Sequence, residues 1–212
     1  MMRWIALAAA GVAGLGLGLV FLVGGDRVTG STSGEGDRFA QCRGAQVAGG
    51  SGQIGGSFEL VNAAGETVTD TDVITKPSLL YFGYTFCPDV CPLDTARNVA
   101  AVEILEERGH IVTPVFISID PERDTPEVVG AFAENLHPRM VGLTGSPEQV
   151  KAASQTFRTY YNRQASDDPY YLVDHSTFTY LVLPGHGFVE FFRRDAGPED
   201  LAARVQCFVK AM

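Results

Sequence analysis

No segment limits the possible architectures more than residues 77–86, PSLLYFGYTF. It carries no charge and is dense in aliphatic and aromatic side chains, the composition of a strand buried on both faces. Such a strand needs a sheet covered on both sides. CPDVCP follows at once. Each cysteine precedes a proline, Pro88 or Pro92, which fixes φ and removes an N–H donor, so the segment between the sulfurs is short and stiff. Beyond it, Ala96, Val99, Ala100, Val102 and Leu105 mostly fall at three- and four-residue spacing and predict a helix ending near Gly109.

The neighbouring segments extend this pattern. Residues 58–70 (FELVNAAGETVTD) predict a hairpin turning at Ala64-Gly65. A second buried strand is expected at 111–120, although Pro114 is unusual in a central strand. DTPEVV opens a helix capped by Asp124 or Thr125, with Pro126 at its first position. MVGLTG suits a short strand, and SPEQV opens a helix with Ser146 and Gln149 spaced as a capping box. A polar loop, NRQASDDPYY, comes next, flanked by aromatics that suit core and loop packing. TFTYLVLP and GFVEFFRR form a hairpin turning at 184–187, and a last helix closes the chain. Strands alternating with helices, then a hairpin, give an α/β sandwich with a mixed sheet.

The N-terminal end differs in kind. Trp4–Val23 is uncharged, and its 20 residues at about 1.5 Å each span roughly 30 Å, the thickness of a bilayer core. It exceeds the apolar stretch of a cleaved signal peptide, and its end is bulky. An uncleaved anchor over residues 1–23 is therefore expected, with Arg3 favouring a cytoplasmic N-terminus. The rest of the chain would face the periplasm of a bacterium or the intermembrane space of a mitochondrion. Of 24 glycines, 15 lie at or before position 57, so residues 24–57 read as a flexible linker and residues 58–212 as the folded domain. The chain has 16 basic and 25 acidic residues, a net −9, with only three lysines. No basic face exists for nucleic acid, nor a polybasic patch for anionic lipid.

Cys87 and Cys91 fall where the most buried strand enters a helix, at the strand edge where open α/β sheets bind ligands. Helix N–H groups there favour thiolate. A disulfide across so short a loop constrains little, so a redox couple or a metal clip explains the pair better than a staple does. His175, in VDHSTF between an acid and a hydroxyl, is expected beside the cysteine-bearing strand. Two thiolates and an imidazole suit copper in either oxidation state, and zinc would also bind them. Cys42 and Cys207 either pair, closing a long loop, or remain separate thiols.

YFGYTFCPDVCP, SIDPERDTPE and YLVDHSTFTYLVLP, in this order and spacing, resemble the Sco/SenC family. The resemblance implies a thioredoxin-like domain with an N-terminal hairpin, tethered by one transmembrane helix to the bacterial or mitochondrial inner membrane. It implies one copper per domain, as Cu(I) or Cu(II), held by Cys87, Cys91 and His175. Asp89 and Asp120 become candidates for tuning the site from behind the ligands. The implied role is delivery of copper to the CuA centre of cytochrome c oxidase subunit II, by a carrier rather than an enzyme. A dedicated thiol-disulfide reductase of the CuA cysteines, or a copper or redox sensor, stays open. The family's fold also hosts general reductases with Cys-x-x-Cys and a facing proline, and this chain has neither feature.

Overall fold

The structure, a computed structural model, describes residues 37–44 and 54–212. The apolar span expected at Trp4–Val23 lies outside the described residues. Among those described, no helix is long and apolar enough to cross a membrane.

In chain order the elements are β1 (Glu59–Asn62), β2 (Thr67–Thr69), α1 (Asp70–Val73), β3 (Ser78–Gly83), α2 (Val90–Glu107), β4 (Thr113–Ser118), α3 (Pro126–Leu136), β5 (Val141–Thr144), α4 (Pro147–Thr156), β6 (Tyr161–Arg163), β7 (Val173–His175), β8 (Thr179–Leu183), β9 (Gly187–Phe192) and α5 (Pro198–Ala211). Seven strands form a mixed sheet in the order β2-β1-β5-β4-β3-β8-β9. β3, β4 and β5 run parallel, β8 runs antiparallel to β3, and β1–β2 is the N-terminal hairpin. All six residues of β3 are buried, as its uninterrupted apolar run requires.

Pro114 sits in β4 without breaking the ladder. Thr113 donates its N–H to the Pro77 carbonyl on the β3 side. Successive N–H groups of a strand alternate sides, so the donor missing at Pro114 faces β5, whose pairing with β4 begins only at Val115. The caps follow their sequence signals. Thr125 accepts from the Val128 N–H ahead of Pro126, and Ser146 and Gln149 complete a capping box on α4.

On one face of the sheet α2 and α5 bury Leu79, Leu181 and Leu183 against Leu105, Val205 and Phe208. Helix α3 covers the same face at Gly142, where a Cβ would come within 2.4 Å of the Val129 carbonyl oxygen, so only glycine lets the helix approach. The opposite face packs Phe82 and Tyr180 against Phe157, just beyond α4, with Phe82 and Phe157 ring centroids 5.5 Å apart.

Three features depart from the sequence reading. Helix α2 begins at Val90, a turn and a half before its first apolar signal, because its early buried positions are Cys91, Asp94, Thr95 and Asn98, which a hydrophobic template passes over. The polar loop is flanked by a short two-stranded ribbon in which β6 pairs antiparallel with β7, and His175 ends that ribbon instead of starting β8. Finally, the stretch 24–57 is not linker throughout. Residues 37–44 pack onto the domain, with a 3₁₀ turn at Ala40–Cys42 and with Phe39 and Cys42 buried among α5 residues. Cys42 is bonded to Cys207 of α5, their Cα atoms 5.6 Å apart. Buried Glu190 accepts from the Gly44 N–H at 2.8 Å. An aromatic and a sulfur within a glycine-rich stretch supply the apolar contacts that composition alone conceals.

Candidate metal centre

Cys87 and Cys91 are free thiols, both buried, at the carboxyl edge of β3 where it gives way to α2. The N-cap residue of α2 is Asp89, but its carboxylate makes no capping hydrogen bond and is exposed. The Cys87 sulfur takes that place, accepting from the Cys91 N–H at 3.4 Å, with the Asp89 and Val90 N–H groups also turned toward it. Burial alone would push the Cys87 thiol up. These N–H groups and the Cys91 thiol outweigh burial and hold it below its ordinary value. Cys91 is fully buried, and burial drives its thiol far up. Gly83 makes room for it, because a Cβ there would lie 3.0 Å from the Cys91 sulfur and 2.8 Å from the Tyr81 ring.

His175 reaches the pair from the ribbon. Its Nδ1 lies 2.8 Å from the Ser176 carbonyl oxygen. A carbonyl can only accept, so Nδ1 carries the proton and Nε2 presents a bare lone pair. That Nε2 is 3.3 Å from the Cys91 sulfur. Burial lowers the imidazole's affinity for a second proton, which keeps the ring neutral at pH 7. Tyr81 and Tyr84 meet it edge-on, with centroids 6.3 and 5.9 Å away, and fix its plane.

The two sulfurs and the imidazole nitrogen all lie within 4.8 Å of one another. Sulfur and nitrogen ligands at about 2.3 and 2.0 Å from one tetrahedral or trigonal ion stand about 3.5–3.7 Å apart, so the Cys91–His175 separation fits a shared ion after a small adjustment. The donor set is soft; its neutral imidazole and the Cys87 thiol need little deprotonation before metal enters, whereas Cys91 gives up its proton on binding.

The remaining candidates act at one remove. Asp120 is buried; its Oδ1 accepts from the Tyr171 hydroxyl at 2.6 Å and its Oδ2 pairs with Arg123. Tyr171 is clasped between the guanidinium groups of Arg123 and Arg163, 3.6 and 3.9 Å from its ring centroid. Asp120 therefore anchors the loop that leads into the His175 strand. Tyr84 assists, its hydroxyl oxygen accepting from the Val173 N–H at 3.3 Å. Buried Asp124 secures the cysteine side, accepting from the Thr85 N–H and hydroxyl and from the Ser118 hydroxyl at 3.0, 2.5 and 2.6 Å. In the sequence Asp124 reads only as a helix cap, and nothing local singles out Tyr81, Tyr84 or Asp94 for the site. A buried polar stripe at helical spacing (91, 94, 95, 98) was the available signal for Asp94.

Comparison with known proteins identifies the family. Residues 46–210 match the family profile described as SCO1/SenC. The chain is 57% identical over 178 residues to Protein SenC of Rhodobacter capsulatus, covering 84% of this chain and 80% of that one. It is 41% identical over 153 residues to the mitochondrial SCO1 homolog 1 of Arabidopsis thaliana, of which it spans only 46%. The crystal structure of Arabidopsis thaliana ScoI with copper bound superposes with a TM-score of 0.70 at 40% identity, covering 74% of this chain and 99% of that one. The expected thioredoxin-like α/β fold is thereby established.

Proposed function

The chain belongs to the SCO1/SenC family, and from that premise we propose that it is a copper carrier for cytochrome c oxidase assembly, with Cys87, Cys91 and His175 as the copper ligands. The carrying observation is the convergence of two sulfurs and a bare imidazole nitrogen within 4.8 Å. Copper is cargo here, and its destination is the CuA centre of oxidase subunit II.

Of the two sulfurs Cys87 lies nearer solvent, and its thiol sits below the ordinary value, so it is the sulfur that first meets and last releases the ion. Cys91 forms the buried back wall, and the half-buried His175 closes the site from the ribbon. Phe86 and Leu93 are 48% and 62% exposed on either side of the cysteines, and Leu172 is 43% exposed on the approach to β7. This apolar rim is suited to transient docking of a partner domain, within which sulfur ligands exchange one at a time. Residues 1–23 would anchor the chain in the bacterial inner membrane, and the rest would lie in the periplasm. The Cys42–Cys207 disulfide supports an oxidising compartment. Tethering donor and acceptor on one membrane face raises their effective concentration.

The test is copper titration of the reduced full-length chain, followed by thiolate-to-Cu(II) charge-transfer absorption. One equivalent binds the wild type. Cys87→Ser, Cys91→Ser and His175→Ala each lose the band and at least about tenfold in affinity. A His175→Ala chain with unchanged band and affinity would remove the imidazole from the ligand set.

A second reading, thiol-disulfide exchange with the CuA cysteines, is favoured by the unequal sulfurs. The Cys87 thiolate would attack a substrate disulfide, expelling one substrate thiolate. Cys91 would then lose its proton and displace the second, so that two electrons pass to the substrate, whose two thiolates take up the Cys91 proton and one from water, and a Cys87–Cys91 disulfide remains. Cys91→Ser would trap the mixed disulfide. His175→Ala separates the two readings, weakening copper binding at least about tenfold while sparing exchange.

A further inference from the structure

Helix α2 buries an acid one turn past Cys91. Asp94 is only 3% exposed, and its Oδ2 accepts from the Tyr81 hydroxyl at 3.0 Å. Its ion-pair partner is partly exposed, with Oδ1 3.6 Å from Nε of Arg194, whose side chain is 44% exposed, and the part-buried Arg97 one turn on also feels its charge. The domain does not need a carboxylate to fill this space, and an uncharged acceptor would serve Tyr81 equally well. What the carboxylate adds is a negative charge beneath the metal site.

Tyr81 carries that charge to the donors. Its ring stands edge-on to the His175 imidazole at 6.3 Å, and its hydroxyl also interacts with the Cys91 thiol. A phenol has one proton to give. Here that proton points at Asp94, 3.0 Å away, so a Cys91 thiolate must compete for a hydroxyl that is already engaged and keeps more of its charge. Burial, Cys91 and Asp94 together hold the phenol neutral, so the bridge persists over the working range of pH.

We propose that Asp94, acting through Tyr81, is a positioning residue that biases the site toward Cu(II) over Cu(I). The inference rests on the copper-carrier reading above. Two thiolates and a neutral imidazole leave a monovalent ion with a net charge of −1 on the complex and a divalent ion with zero. A fixed negative charge nearby, in a water-poor setting, disfavours the first and is indifferent to the second. An acceptor centre would therefore receive copper from a site built to hold the oxidised ion.

The experiment measures dissociation constants for Cu(I) and for Cu(II), each by competition with a chelator of known affinity, on the full-length chain. Asp94→Asn keeps an acceptor for Tyr81 and removes the charge. It should raise the ratio of the Cu(II) to the Cu(I) dissociation constant about tenfold, equivalent to an upward shift of about 59 mV in the copper potential. Arg194→Gln, which alters an exposed arm and leaves the core intact, should move the ratio the opposite way by a smaller factor. It decides the matter if Asp94→Asn fails to fold. A ratio unchanged in both Asp94→Asn and Arg194→Gln, with one copper still bound, overturns this inference and spares the carrier reading. A wild-type chain that binds no copper overturns both.

Discussion

The domain holds two cysteine pairs, and they are opposites. Cys42 and Cys207 are 165 residues apart in sequence, bonded, and set among apolar side chains of α5 and the N-terminal segment. Cys87 and Cys91 are four apart, unbonded, and surrounded by N–H groups, hydroxyls and an imidazole. Chain entropy accounts for the first: closing so long a loop removes about 5 kcal/mol of freedom from the unfolded chain, against about 2 for the short one. The short pair adds little stability as a bond and is most useful left open. The sulfur that holds the fold together is thus kept apart from the sulfur that does chemistry.

The largest effect that bears on this contrast is removal of the clasp. Cys42→Ser should lower unfolding stability by about 3–5 kcal/mol, read from urea denaturation, while copper stoichiometry and the charge-transfer band stay as they are. Loss of copper affinity in parallel with stability would show that the two ends are not independent.

A smaller change acts on the ribbon. Tyr171→Leu removes the hydrogen bond to Asp120 and the ring held between Arg123 and Arg163. It should cost about 1–2 kcal/mol and weaken copper binding several-fold by loosening His175. In a His175→Ala background the same substitution should leave copper affinity unchanged, since the lost positioning then has no ligand to position.

The smallest effects are those of pH on the metal-free chain. Cys87 should alkylate with a midpoint below the ordinary thiol value of about 8.5, and Cys91 should stay unreactive well above it. Its depressed folded-state value means that Cys87 adds stability above the unfolded thiol's range, and this is lost as pH falls through the folded value. The same sign holds for His175, whose proton affinity burial has lowered. The unfolded chain takes up that proton first, so stability should decline as pH drops below about 6.5. His175→Asn should flatten that part of the thermal-midpoint profile.

Much of this was visible in the chain, for local reasons. The run before Cys87, the prolines at helix starts, and the Ser146–Gln149 and Thr125 caps each write their geometry within a few residues. The β6–β7 ribbon was hidden because its residues are mostly polar and its pairing joins positions ten to fourteen apart around an irregular loop. The start of α2 was hidden because it buries hydrogen-bonding groups in place of hydrocarbon.

The sequence by itself determined the α/β layering and the kinds of atom available for a metal, because side-chain chemistry and periodicity are properties of neighbouring residues. Only the tertiary structure decided which imidazole nitrogen is bare, which sulfur lies nearer solvent, and that Asp94 stands beneath them. Those facts depend on contacts such as Cys91 with His175, 84 residues apart, where burial and competing hydrogen bonds set the charge and aim of each donor.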